Sequence, residues 1–214
     1  MGIDWLPAIW LGGFLFGASI LLAGYLTPGY SHFHQSISEL GERNTAHAWL
    51  VRWLGFVPLG LSFVIFAHQT RELFLSFIPA ALLLLTGLAV IVAGIFPTDP
   101  DNRRDTLSGK VHAKAVIALL FLLSATPFAF SISALYRDPP EVWFMVFSFL
   151  MGVVVLGFYG MLPNDACPWL VALHRKIFGR FLEIWYPLQG LHQRLHLSLF
   201  GIWWIVFTLV LANP

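Results

Sequence analysis

The chain has 214 residues, 58% hydrophobic and only 11% charged, with a net charge of +1; soluble domains carry about 25% charged residues. That balance excludes an ordinary soluble domain and a nucleic-acid binder, and it predicts an all-α integral membrane protein partnered by the lipid bilayer. The single cysteine, Cys167, excludes an intramolecular disulfide and a multi-cysteine metal site.

A membrane-crossing helix needs about 20 mostly apolar residues. Six segments meet that length: 5–27, 50–67, 75–96, 113–136, 142–162 and 189–211. Apolar residues surround each segment, and none alternates apolar with polar as barrel strands do. The expectation is one six-span transmembrane domain over 1–214. No basic stretch precedes the first segment, so no cleavable signal peptide is expected.

The first span carries Gly13 and Gly17, whose four-residue spacing suits close approach of helix backbones in lipid. It leads into HFHQSISELGERNTAH, residues 32–47. Ser36 and Glu39 have the spacing of a capping box. In a second reading, Ser38 and Glu39 point into the bundle from a re-entrant turn, where a carboxylate is costly and pairs or works. His32, His34 and His47 read as interfacial bystanders. Pro58 in the second span, Pro79 in the third and Pro127 in the fourth predict kinks. Pro97 and Pro100 end the third span in FPTDP, with Asp99 at its end.

Thr106 or Ser108 caps the fourth span, leaving His112 in its first turns. Ser108 and His112 share a helix face. A ring one turn inside a span needs a partner, and a neighbouring helix is the plain source of one. Ser148 and Gly152 repeat the small-residue spacing in the fifth span. The following loop, with Trp169, Leu173, Phe178, Arg175, Lys176 and Arg180, reads as an interfacial amphipathic helix suited to anionic lipid. The sixth span opens with QGLHQRLH. His192 and His196 lie at i and i+4, on one helix face.

Loops after the first, third and fifth spans hold Arg43, Arg103, Arg104, Lys110, Lys114, Arg175, Lys176 and Arg180, with Arg52 and Arg194 close to the same face. Only Arg71 and Arg137 lie opposite. The positive-inside rule makes the richer face cytoplasmic and places both termini on the extracytoplasmic side of the cell's inner membrane. The histidines follow the same partition, with only His68 opposite.

A polar site at the cytoplasmic membrane face is therefore expected. One reading is a zinc-dependent hydrolase of a lipid or amphipathic substrate. His112, His192 and His196 would bind the metal, Asp99 or Glu39 would orient or deprotonate the water, and Ser108 or Ser38 would donate to the oxyanion. The alternative is a non-catalytic protein, a small transporter or structural factor, in which Glu39, Asp99, His112 and Arg194 form a buried ion-pair network.

ISELG in the first loop, FPTD after the third span and G-x-x-H from Gly109 to His112 resemble domain-of-unknown-function family 998. Those bacterial and archaeal membrane proteins have about six spans and an Arg-containing start to the last one, here QGLHQRL. The resemblance covers nearly the whole chain. It implies a membrane protein without a settled activity, and it makes Ser38, Glu39, Asp99, His112 and Arg194 candidates for one polar site. A weaker similarity is to the membrane hydrolase superfamily of alkaline ceramidases and progestin/adiponectin-type receptors. Those place three His, an Asp and a Ser around zinc in seven helices. HxxxH and S-x-x-x-H match here. The span count, the place of S-x-x-x-H on the fourth span and the position of Asp99 before it depart from that pattern.

Overall fold

Long apolar runs can satisfy their backbone polar groups in lipid by closing hydrogen bonds within the segment, which is what a helix does. The computed structural model describes residues 6–74, 77–100, 104–136, 141–161, 176 and 186–212. In chain order these form α1 (Leu6–Leu26), a short α2 (Ile37–Leu40), a π-helical segment (Leu50–Phe56) running into α3 (Val57–Phe74), and α4 (Phe77–Ile95). Then follow α5 (Leu107–Ala134), α6 (Val142–Met161), a 3-10 turn (Tyr186–Leu188) and α7 (Gln189–Ala212). No strand occurs among the described residues.

Among the described residues, four stretches are long and apolar enough to cross a membrane: Leu50–Thr70, Phe77–Ile95, Leu107–Ala134 and Gln189–Val210. Trp10–Leu26 and Val142–Gly157 are shorter apolar helical stretches. The chain is a polytopic membrane protein. The amphipathic helix expected after the fifth span falls on residues 162–175 and 177–185, largely outside the described residues.

Helix α5 begins before the expected 113, because Thr106 caps it by accepting from the Gly109 N–H at 3.1 Å. The prolines find different accommodations. Pro58 follows the π segment, where the Val57 N–H reaches five residues back to the Arg52 carbonyl. Pro79 sits in the first turn of α4, where a helix has spare N–H groups anyway. Pro127 lies in the interior of α5.

Packing runs from α1 to α3, and then through α4, α5 and α6 to α7. Small residues set the closest approaches. A Cβ on Gly60 of α3 would lie 2.6 Å from the Gly87 carbonyl oxygen of α4, and the converse holds. Ser148 accepts from Trp203 Nε1 at 2.9 Å, and a Cβ on Gly152 would meet the Phe128 ring at 3.0 Å. That pair thus seats α5 and α7 on α6, as small-residue spacing predicts. Gly13 and Gly17 do not behave this way: a Cβ on either would have nothing within 4 Å. Spacing fixes which residues share a face; here that face borders a cavity instead of a helix.

The aromatic core is built around α7. Trp203 and Phe207 stack with centroids 5.3 Å apart, and Phe144 stacks on Phe207 at 5.4 Å. Trp203 lies about 14 Å along the axis from Arg194, at 1.5 Å per residue. One helix therefore carries both the packing core and the polar end.

Candidate functional site

The loop after α1 folds over the start of α7. Gly29 turns the chain at φ +77°, a conformation suited to glycine. Ser36 then caps α2. Glu39 reaches back to accept from the Ser36 N–H at 2.9 Å and from Ser36 Oγ at 3.0 Å. Glu39 is thus the second half of the cap. The residue that turns into the bundle is Ser38, which is buried.

Ser38 meets His112 of α5. Nδ1 of His112 lies 3.0 Å from the Ala93 carbonyl oxygen and 2.8 Å from that of Phe96. Carbonyls only accept, so these partners assign the proton to Nδ1. In the neutral ring Nε2 is then an acceptor, and it takes the Ser38 hydroxyl proton at 3.0 Å. The α4 end supplies these carbonyls because a helix leaves its last C=O groups unpaired. Arg52 takes two more: its Nε donates to Gly94 O at 2.9 Å and its Nη2 to Ile95 O at 2.7 Å.

Asp99 and Ser108 build the corner between α4 and α5. Asp99 accepts from the Thr106 hydroxyl at 2.7 Å and the Thr106 N–H at 2.8 Å, with Arg43 Nε at 4.0 Å. Those hydrogen bonds from Thr106 hold its carboxyl below the usual range. Ser108 donates to Pro97 O at 2.9 Å. Among the described residues neither hydrogen-bonds to His112.

Arg194 of α7 is the hub of the loop. Its Nη1 donates to Gln35 O at 3.1 Å and Gly190 O at 2.9 Å. Its Nη2 donates to Tyr30 Oη at 2.7 Å and His32 Nδ1 at 3.0 Å. All four of these hydrogen-bond acceptors are neutral, where the sequence offered Glu39 or Asp99 as an ion-pair partner. Burial pushes the Tyr30 phenol up, against Arg194, so its O–H remains to donate to Ser36 O at 2.8 Å. Burial and Arg194 push the His32 imidazole down, which suits a ring that accepts at Nδ1. Three further bonds join loop and helix start: Leu191 N–H to Phe33 O at 2.9 Å, Ile37 N–H to Gln193 Oε1 at 2.8 Å, and His34 Nδ1–H to Pro187 O at 2.9 Å. A Cβ on Gly190 would collide with the Gln35 and His32 carbonyl oxygens.

The zinc ligands do not assemble. His112 has both nitrogens engaged, and His192 and His196 are buried on α7. No group of three or more His, Cys, Asp or Glu able to hold a metal ion is present among the described residues. The i, i+4 spacing guarantees a shared face, but His112 is turned to the α4 carbonyls and Ser38 instead. Among the described residues, His112, His192 and His196 do not form one metal site.

Below the loop is a half-enclosed cavity of roughly 590 Å³. Its walls are apolar, from α1, α3, α4, α5 and α7, with Gly13, Gly17, Gly201 and Trp204 among them. Its polar end holds His32, Ser38, Gln193 and Arg194. Sequence reasoning missed Tyr30, Gln35, Gly190 and Gln193, and set His32 aside. One signal was present: a glycine at the start of a helix costs stability unless something needs its missing Cβ.

No curated protein and no solved structure matches the chain. The motif order read from the sequence agrees with a family-wide comparison: the model of the family described as Protein of unknown function (DUF998) matches residues 10–210, and the chain belongs to that family.

Proposed function

We propose that the protein binds an amphiphile with an anionic headgroup, its tail in the cavity and its head beside Arg194. The protein would cross the cytoplasmic membrane six times, with the polar loop at the cytoplasmic face and both termini outside; the distribution of basic residues supports that orientation. The observation that carries the reading is a guanidinium with four neutral partners at the polar end of an apolar cavity. A charge at membrane depth is costly and works best with a partner. Neutral acceptors solvate Arg194 through hydrogen bonds, and an anionic headgroup on the cavity side would give the guanidinium a charged partner. The volume falls in the usual range for ligand pockets, about 300–1,000 Å³.

Gly17 and Gly201 line the cavity with open space where a Cβ would sit. Gly17→Leu and Gly201→Leu should therefore fill it without displacing a neighbour. In native mass spectrometry, protein released from nanodiscs containing oleate should retain one oleate. Each variant should lose retention by about tenfold or more, a change of about 1.4 kcal/mol. Oleyl alcohol, with the same tail and no charge, should be retained far less than oleate. Equal oleate retention by wild type and both filled variants would overturn the reading.

A further inference from the structure

We infer that Ser38 is a nucleophile activated by His112, and that the protein cleaves an ester in the amphiphile it binds. The inference rests on the amphiphile reading only for where the substrate sits.

Three features are arranged as nucleophilic catalysis requires. The Ser38 hydroxyl, on the polar wall of the cavity, donates to His112 Nε2 at 3.0 Å, within the reach a general base needs. His112 is fixed in the right tautomer, because its Nδ1–H is held by the Ala93 and Phe96 carbonyls. That is the orienting role of the third group in a serine–histidine system, performed here by backbone. Gln193 also lines the cavity, and its amide oxygen is committed to the Ile37 N–H at 2.8 Å. Its NH₂ group remains as a donor for a developing oxyanion.

The reaction balances without a cofactor. Ser38 Oγ attacks the ester carbonyl carbon, and its proton moves to His112 Nε2. The tetrahedral intermediate collapses and the ester C–O bond breaks. The proton on Nε2 passes to the departing alkoxide, leaving acyl-Ser38 and a free alcohol. Water then adds to the acyl carbon and gives a proton to Nε2. The bond to Ser38 breaks, Oγ takes that proton back, and the carboxylic acid leaves.

The test uses the full chain in nanodiscs and two serine-directed reagents, dodecyl fluorophosphonate and the small phenylmethanesulfonyl fluoride. Peptide mass spectrometry reads the modified residue directly in the wild type, so the result does not depend on a variant that folds. Both reagents should mark Ser38, and Ser38→Ala should remove the mark. His112→Asn keeps an N–H for the α4 carbonyls and loses the base. It should slow labelling by about 10²–10⁴-fold, and the acid limb of the rate against pH should disappear with it. A purely structural serine–histidine contact would give no rate to lose. Gly17→Leu should slow the dodecyl reagent and spare the small one. If both reagents mark Ser38 equally well in Gly17→Leu, the nucleophile stands and the cavity falls as the substrate seat. If neither reagent marks Ser38 while oleate is still retained, the nucleophile falls and the amphiphile reading stands.

Discussion

Arg194→Ala is expected to lower folding stability by about 3–5 kcal/mol, with the first loop released from α7. Hydrogen bonds to a charged group contribute about 1.5–3 kcal/mol each, and bonds from one group are not additive. Four bonds and a cation lying 5.8 Å from the Tyr30 ring centroid all depend on this guanidinium. Arg194→Lys should recover less than half of the loss. An ammonium keeps the charge but cannot present two forks to acceptors on both loop and helix. Thermal unfolding in detergent gives the magnitude. Amide exchange gives the location, because protection should vanish at Ile37 and Leu191, whose N–H groups bridge the same contact.

Acid should weaken the same clamp. The His32 pKa is lowered from 6.5 by burial and by Arg194. Its unfolded form therefore takes up a proton at a pH where the folded form does not. The His32 contribution is complete above pH 6.5 and is lost as pH falls through the folded value below it. A wild-type stability that is unchanged on that descent while His32→Gln behaves identically would remove His32 from the clamp.

Gly190→Ala should lower stability by about 2–3 kcal/mol, although alanine is the better helix former by about 1 kcal/mol. Two effects of opposite sign compete. The new methyl would strike the Gln35 carbonyl oxygen and come within 2.7 Å of that of His32. Both obstacles are backbone, so neither can rotate aside, and relief requires the loop to lift. The loop then forfeits its bonds to Leu191 and Gln193. Gly201→Ala on the same helix is the control. Nothing lies within 4 Å of its Cβ, so only the propensity gain remains and the sign should reverse. The same sign at both positions would contradict close contact at Gly190.

The helices were legible because composition and length leave an apolar segment in lipid few alternatives. The capping role of Ser36 was legible too, since S-x-x-E acts within one turn. So was the inward turn of Ser38, and the need of His112 for a partner. The partner itself was not legible: Ala93 and Phe96 contribute carbonyls, which every residue has. Gly13 and Gly17 misled, because periodicity reports a shared face and says nothing of what the face meets. HxxxH likewise reports a shared face on α7, and among the described residues that face gathers no metal group of three ligands. The hub at Arg194 reaches residues over 150 positions away through one backbone carbonyl, one phenol and one imidazole, and such contacts leave no local pattern.

That separation has a consequence for biosynthesis. Tyr30 and the arginine that holds it are 164 positions apart. A ribosome adding about 5–20 residues per second takes roughly 8–30 s to cover that distance. During that interval the first loop has left the ribosome with its tyrosine, imidazole and carbonyls awaiting a guanidinium not yet made. The polar end of the cavity therefore cannot form until the start of α7 has been made. A chain stalled or truncated before α7 would have most of its helices and none of this clamp, which gives a cell a simple chemical difference between unfinished copies and complete ones.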